Sequence, residues 1–287
     1  MKVITVANAG FCFGVKRAIN IAFQSARDSK EGIYTLGPII HNPQVVEKLA
    51  DEGVRSVEDL DKEDIGKLII RSHGVPTDVI EEASEKGIEI IDATCPFVKN
   101  AQKYAHLLGK EGYQVIIVGD RDHPEVKSIL SYAGDRAVVV NRASLIDEIP
   151  LNDRVGIIAQ TTQRHSIFQE VVLKCFEKAK EVKVYDTICN STTTRQDETK
   201  RLAGEVDIVI VVGGKCSANT TQLATICKQM GTRTFHIEVP EEIEEDWFYG
   251  MEKVGVTAGA STPGWIIDSV IERIHDIDKK LSERRGV

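Results

Sequence analysis

The sequence predicts an α/β protein made of three related lobes, each with a parallel sheet and helices on its faces. Apolar strand segments alternate with amphipathic helix segments along the 287 residues, the pattern of parallel sheets joined by right-handed crossovers. The strand segments are near-continuous apolar runs such as VIIVG (115–119) and DIVIVVGG (207–214), as expected for strands buried on both faces. Each kind of strand–loop–helix segment occurs three times, which indicates an internal repeat.

The first repeated segment is a strand, a cysteine at its end and then a helix. It occurs as VANAGFCFGVKRAINIAF, IIDATCPFVKNAQKYAHLL and VYDTICNSTTTRQDETKRLA, with Cys12, Cys95 and Cys189 at the junctions. The carboxyl ends of parallel strands share one edge of a sheet and face helix N-termini, which is where ligands bind. We therefore expect the three thiols at ligand-binding edges.

The two other repeated segments end their strands with polar loops. One kind reads GPIIHNP, GDRDHPEV and GGKCSANTT, and the other reads RSHG, AQTT and AGAST. Together with helix N-terminal amides, their imidazoles, hydroxyls and amide predict a cradle for a compact anion such as a diphosphate. No G-x-x-x-x-G-K-[ST] loop of a nucleotide site is present in the sequence. The candidate residues are His41, His73, His123, Thr161, Ser217, Asn219 and Ser261.

The order of the segments predicts how the lobes are closed. Lobes 13–95 and 96–189 each end with a strand that leads into a cysteine, whereas lobe 190–287 ends with a helix. The N-terminal strand within residues 1–12 fills the missing position, so we expect it to pack in the third lobe. The lobes are then related by a pseudo-threefold axis, with the three cysteines near its centre.

Three thiolates without a fourth protein ligand fit two kinds of metal centre. One is a zinc ion with an open coordination position. The other is an iron–sulfur cubane with one iron that lacks a protein ligand and that can act as a Lewis acid on a hydroxyl and pass electrons. The spacing of the cysteines leaves both open. Of the other thiols, Cys175 and Cys227 lie on apolar helix faces and are interpreted as core residues, whereas Cys216 lies in a ligand loop.

Glu125 follows the His123-Pro124 pair in one of the polar loops. A carboxyl group in a sheltered pocket can hold a proton at neutral pH and deliver it. The alternative is an acid at a helix N-terminus, stabilised by the helix dipole. The sequence does not decide between these two roles.

Composition and charge limit the classes of partner. The formal net charge of −8 argues against a general nucleic-acid binder, which would present a basic face. No run reaches the about 18 to 20 apolar residues of a membrane span, and Asn8 and Gly10 interrupt the N-terminal apolar run, which makes it a poor signal peptide. We predict a cytoplasmic protein without membrane or nucleic-acid partners, in which the cysteines favour metal binding or catalysis over disulfides.

Eight motifs in order resemble the 4-hydroxy-3-methylbut-2-enyl diphosphate reductase (LytB/IspH) family, from about residue 3 to residue 275. They are GFCFGVKRA, GPIIHNP, RSHGVP, DATCP, DHPEV, AQTT, DTIC and VTAGASTP. The resemblance implies a three-lobed fold around a central [4Fe-4S] cluster. It also implies an iron–sulfur oxidoreductase that catalyses the last step of the non-mevalonate (MEP) isoprenoid pathway. In that step, (E)-4-hydroxy-3-methylbut-2-enyl diphosphate undergoes reductive dehydration to isopentenyl and dimethylallyl diphosphate.

The resemblance also assigns residues and partners. It implies that Glu125 is the proton donor and that Thr161 is bonded to the substrate hydroxyl network, with Thr192 in a supporting position. It implies an external electron donor such as ferredoxin or flavodoxin, because no ferredoxin, flavin or nicotinamide motif is present. By motif match the cluster ligands are Cys12, Cys95 and Cys189, and the substrate-binding residues are His41, His73, His123, Thr161, Ser217, Asn219 and Ser261.

One loop departs from the family pattern. The family commonly has Asn-Ser-Ser-Asn where this chain has Cys216-Ser217-Ala218-Asn219. Ala218 has no hydroxyl, so we expect weaker diphosphate binding at most and no change of function. Two other functions fit the residues: a non-enzymatic iron–sulfur sensor, and a redox-neutral hydratase that uses the open iron as a Lewis acid only. Without the family resemblance, the residues support the reductase and the hydratase about equally.

Overall fold

The computed structural model describes residues 1–29, 32–61 and 64–284, which form three four-stranded parallel sheets. The α/β prediction is therefore confirmed. In chain order, the strands are β1 (Lys2–Thr5), β2 (Ile33–Leu36), β3 (Val54–Val57), β4 (Lys67–Ile70), β5 (Glu89–Asp92), β6 (Gln114–Val118), β7 (Val138–Val140), β8 (Arg154–Ala159), β9 (Glu181–Val184), β10 (Ile208–Val212), β11 (Arg233–Ile237) and β12 (Lys253–Ala258).

Helices connect the strands, as parallel pairing requires. In chain order, they are α1 (Phe13–Asp28), α2 (Pro43–Asp51), α3 (Thr77–Glu85), α4 (Pro96–Lys110), α5 (Pro124–Ala133), α6 (His165–Lys178), α7 (Asn190–Ala203), α8 (Ala218–Gln229) and α9 (Gly264–Arg284). None of the helices within these described residues is both long enough and apolar enough to cross a membrane.

The three sheets share one strand order. The orders are β3-β2-β4-β5, β7-β6-β8-β9 and β11-β10-β12-β1, so each sheet has the same arrangement of equivalent strands. In the third sheet the N-terminal strand takes the outer place, with Lys2 opposite Lys253 and Thr5 opposite Val256. The lobe boundaries 13–95, 96–189 and 190–287 stay a prediction.

Contacts between Cα atoms divide the chain into two compact units. The first comprises Met1–Cys12, His41–Val45 and Asn190–Val287, and it contains the sheet β11-β10-β12-β1. The second comprises Phe13–Ile40 and Val46–Cys189, and it contains the two other sheets. The loop that carries His41 is thus part of the first unit.

Buried central strands form the cores. Every residue of β6 and of β10 is buried, as their apolar runs predict. Cys175 packs in the core beside β8, and Cys227 packs beside β10. Burial raises the pKa of the Cys175 thiol to about 11 and that of the Cys227 thiol to about 12. Both are therefore neutral core residues, which confirms their interpretation from the sequence.

Candidate active site

The same backbone hydrogen bond anchors each of the three repeated cysteines. In every case the cysteine N–H donates to the carbonyl of the residue two positions beyond the end of a central strand of the same sheet, β4, β8 or β12. All three thiols are partly exposed. The pairs are Cys12 to Ala260 at 3.1 Å, Cys95 to Ser72 at 3.0 Å and Cys189 to Thr161 at 2.9 Å.

Cys95 occupies a close-packed corner of the second unit. It is the N-cap of α4, and Pro96 follows at the first helical position. A Cβ atom at Gly14 would lie 2.4 Å from the Cys95 Sγ atom, so only glycine allows the first turn of α1 to approach the thiol. Each of the three partly exposed thiols lies directly before a helix, whose N-terminus favours negative charge. Such thiols fit the thiolate donor set of an iron–sulfur cluster or a zinc ion.

Glu125 is a buried acid with two hydrogen bonds to one residue. Its side chain is 2% exposed in the first turn of α5. Its Oε1 atom accepts from the Thr161 N–H at 2.6 Å, and its Oε2 atom accepts from the Thr161 hydroxyl at 2.9 Å. Burial raises the pKa of Glu125 from 4.5 to about 7, although both hydrogen bonds from Thr161 favour the charged form.

These contacts bear on the two roles that the sequence left open. Glu125 does lie at a helix N-terminus, as one interpretation expects. However, an acid that only complements the helix dipole is normally solvated, whereas Glu125 is sheltered and titrates near neutrality. Glu125 is therefore able to hold a proton near neutral pH, which is what a general acid requires. The Thr161 hydroxyl suits both protonation states, since it can donate to a carboxylate or accept from a carboxylic acid.

His123 is positioned by the same helix. It is the N-cap of α5, and its Nδ1 atom accepts from the Glu125 N–H at 3.1 Å. Because Nδ1 acts as an acceptor, the proton of the neutral imidazole is on Nε2. The His73 ring lies edge-on to the His123 ring, with 5.4 Å between the ring centroids. The structure thus brings together four predicted site residues of the second unit: His73, His123, Glu125 and Thr161.

The first unit collects a separate set of predicted residues. The Ser261 hydroxyl donates to the His41 carbonyl at 3.2 Å. A Cβ atom at Gly214 would lie 2.4 Å from that carbonyl oxygen, so the loop after β10 packs against the His41 backbone. Ser217 is the N-cap of α8, and its hydroxyl accepts from the Thr220 N–H at 3.4 Å.

Asn219 supplies a buried amide to this set. It is 4% exposed, and among the described residues neither its Nδ2 nor its Oδ1 atom has a hydrogen-bond partner. An unpaired buried amide is costly, so this position is suited to a polar ligand. Cys216, in the same loop, is exposed, and Ala218 is partly buried. Thr192 lies buried in the first turn of α7.

Two positioning residues were missed in the sequence. The guanidinium of Arg195 is 2% exposed and donates to the carbonyls of Asn8 at 3.0 Å and Gly10 at 2.8 Å, which holds the loop before Cys12. Gln160 accepts from the Asp120 N–H at 3.0 Å and so ties the loop after β6 to that after β8. The sequence gives no clear signal for either residue, because the buried face of α7 is formed partly by polar side chains, including Thr192, Arg195 and Thr199.

Comparisons with known proteins show which family the chain is similar to. The family model described as LytB protein matches residues 3–275. A relative from Pelobacter propionicus, named 4-hydroxy-3-methylbut-2-enyl diphosphate reductase, is 52% identical over 98% of this chain and 100% of its own length. A relative of the same name from Geobacter sp. strain M21 is also 52% identical, over 97% of this chain and 99% of its own length.

Solved structures give the same result. One, described as (E)-4-hydroxy-3-methyl-but-2-enyl diphosphate reductase, the terminal enzyme of the non-mevalonate pathway, is 46% identical with a TM-score of 0.70. The match covers 96% of this chain and 100% of that one. The E-1-hydroxy-2-methyl-but-2-enyl-4-diphosphate reductase from Plasmodium falciparum is 27% identical with a TM-score of 0.91, over 94% of this chain and 87% of that one. The family model matches nearly the whole length of this chain, so the chain belongs to the LytB family.

Proposed function

We propose that this protein is a 4-hydroxy-3-methylbut-2-enyl diphosphate reductase of the non-mevalonate isoprenoid pathway. Two electrons and two protons enter, the allylic C–O bond breaks, and water and isopentenyl or dimethylallyl diphosphate leave. The observation that carries this proposal is the buried Glu125 carboxyl, held by Thr161, with a pKa of about 7. Relatives of that name at about half identity over the full chain support it.

We propose a [4Fe-4S] cluster as the cofactor, with Cys12, Cys95 and Cys189 as ligands by family resemblance. The partly exposed thiols at strand ends fit such a group. When bound, the cluster supplies electrons and a Lewis-acidic iron for breaking the C–O bond. Thiols must stay reduced to bind iron, which agrees with a location in the reducing cytoplasm. The electrons come from an external carrier such as ferredoxin or flavodoxin.

Glu125 supplies the proton in this reaction. At pH 7 a substantial fraction of its carboxyl groups is protonated, because the pKa lies near that pH. Thr161 fixes the carboxyl with its N–H and its hydroxyl, so the proton is held in one place and can pass along the hydroxyl. His123 presents an Nε2–H donor because its Nδ1 atom accepts from the Glu125 N–H.

The diphosphate is bound by polar groups. By family resemblance these are His41, Ser217, Asn219 and Ser261 in the first unit, and His73 and His123 in the second. In the first unit, Asn219 offers an Nδ2–H donor that has no partner among the described residues. Ser217 and Asn219 stand at the start of α8, where main-chain amides and the helix dipole favour an anion.

The test uses the enzyme with its cluster reconstituted without oxygen. Dithionite-reduced methyl viologen should convert the hydroxylated diphosphate to the two C5 products, measured by NMR. We expect Glu125→Gln to lower kcat by about 10²- to 10⁴-fold, the usual contribution of a positioned acid. Glu170→Gln, at an exposed position on α6, is the control and should turn over normally. Product formation without added electrons, or full activity of Glu125→Gln, would contradict the proposal.

A further inference from the structure

Two helices that follow proposed cluster ligands begin close together in the second unit. The chain enters α1 directly after Cys12 and α4 directly after Cys95. Within the second unit, Arg17 of α1 donates to the Thr94 carbonyl at 3.2 Å and to the Asp92 carbonyl at 3.4 Å. The first turn of α1 therefore packs on the segment that leads to Cys95. We name the outer surfaces of α1 and α4 the α1–α4 face.

Aromatic side chains are exposed on this face. Phe13 is 66% exposed and Phe97 is 40% exposed, and both lie in first turns beside the repeated cysteines. Phe13 also lines a groove of about 390 Å³ along α1, together with Lys16, Arg17, Asn20, Ile21 and Gln24. Rigid aromatic groups exposed on a surface are common anchors of protein interfaces.

The charge of the α1–α4 face is opposite to that of the protein. The two helices contain six basic residues and one acidic residue, Asp28. One of the six, Lys99, is paired with Asp92 at 2.5 Å, so the helices keep an excess of basic side chains, whereas the whole chain has a net charge of −8. Helix α4 has no acidic residue. Both Lys16 and Lys103 are exposed. A local positive field on an acidic protein selects a negatively charged partner and steers its encounter.

We propose that the α1–α4 face is the docking surface for a small, acidic, one-electron carrier protein. This inference rests on the proposed function, which consumes two electrons for each substrate and requires a carrier from outside the chain. The face combines exposed aromatic side chains next to Cys12 and Cys95 with an excess of basic residues along both helices, so a carrier docked at its aromatic end comes close to a proposed cluster ligand. Transient redox complexes use small interfaces with complementary charge, which a face of this kind provides.

The experiment measures binding and turnover separately, with an acidic ferredoxin as the probe. Lys16→Glu combined with Lys103→Glu reverses two charges of the face. We expect the Kd of the holoenzyme for the ferredoxin, measured by calorimetry at low salt, to rise about tenfold or more. The wild-type Kd should also rise with salt, since screening weakens exposed charge pairs. Iron per chain and turnover with reduced methyl viologen should stay unchanged.

Matched variants test charge and aromatic contact at other sites. Lys200→Glu combined with Lys228→Glu reverses two charges on α7 and α8, and it should leave the Kd near the wild-type value. Phe13→Ala should weaken ferredoxin binding about tenfold. Phe176→Ala, which removes a 73% exposed phenylalanine from α6, should not weaken it.

Three results would overturn the docking proposal. One is a Kd that does not change when the face is reversed. Another is equal weakening by the control pair, which would indicate an effect of total charge. The third is a change of oligomeric state in Phe13→Ala by sedimentation, which would assign the face to a second copy of the chain. Loss of viologen-driven turnover in the wild type would instead reject the proposed function, while calorimetry still reports on docking.

Discussion

The buried carboxyl of Glu125 should make the stability of the protein depend on pH. In the folded protein the pKa of this group is about 7, and its ordinary value is 4.5. Between these two pH values the folded protein holds a proton that the unfolded chain has released. By linkage, the free energy of unfolding therefore falls as the pH rises from about 4.5 to about 7 and is level above that range. The Glu125→Gln variant has no ionisable group at this position, so its free energy of unfolding does not show this fall.

The size of the effect follows from the two pKa values. Each pH unit between them is equivalent to about 1.36 kcal/mol, so the whole range corresponds to about 3 kcal/mol. Glu125 is 2% exposed, which keeps solvent screening of this value small. Between pH 4.5 and pH 8, the free energy of unfolding of Glu125→Gln should therefore rise by about 3 kcal/mol relative to that of the wild type. Its remaining pH dependence comes from other groups and is shared with the wild type.

The assay is urea unfolding followed by far-ultraviolet circular dichroism at several pH values from 4.5 to 8. Samples are prepared without oxygen, and the cluster-free form is measured beside the holoprotein so that release of iron by acid is separated from the titration. Glu170→Gln is the control and should follow the wild type. Parallel curves for the wild type and Glu125→Gln would mean that Glu125 ionises at its ordinary pH, and they would refute its role as the proton donor.

Three further substitutions test the diphosphate loop and the packing around the cysteines. Ala218→Ser adds a hydroxyl that can donate to the diphosphate. A hydrogen bond to a charged group contributes about 1.5 to 3 kcal/mol, so KM for the substrate should fall about tenfold or more. Gly14→Ala places a Cβ atom 2.4 Å from the Cys95 Sγ atom. The iron content per chain should fall, and the free energy of unfolding should drop by about 1 to 3 kcal/mol. The control is Gly204→Ala, where the nearest atom to a new Cβ is 3.5 Å away, and it should retain full iron. Arg195→Met leaves two loop carbonyls without their donor; urea unfolding should show a loss of about 2 kcal/mol, and unchanged stability would refute the anchoring role.

Regular patterns in the sequence predicted the architecture because burial dictates them. The apolar run of β10 is buried throughout, and the missing strand of the third lobe is supplied by Lys2–Thr5. The repeated junctions likewise predicted equivalent places for the cysteines. These features depend on periodicity and chain order, and both can be read directly from the residues.

Roles that depend on burial of polar groups could not be read in the same way. Glu125 and an ordinary acid at a helix N-terminus have the same local sequence, and only the packing that encloses Glu125 raises its pKa. Arg195 lies in α7, a helix with a strongly polar sequence that looks solvated, yet its guanidinium is buried against the backbone before Cys12. The Gln160 side chain accepts a hydrogen bond from the Asp120 N–H of another loop. The two loops are far apart in the sequence and are brought together only by the sheet.

The internal repeat explains how one lobe could acquire proton chemistry without disturbing a cysteine. At the three equivalent positions Ser72, Thr161 and Ala260, only the main-chain carbonyl holds the cysteine N–H. The side chain at this position is therefore independent of the anchor, and an alanine serves as well as a threonine. In one lobe the threonine side chain bonds Glu125, while its carbonyl still anchors Cys189. Backbone geometry thus anchors the three cysteines in the same way, whereas the side chains at the equivalent positions differ. Of the three, Thr161 carries the contact to Glu125 that the proposed proton transfer uses.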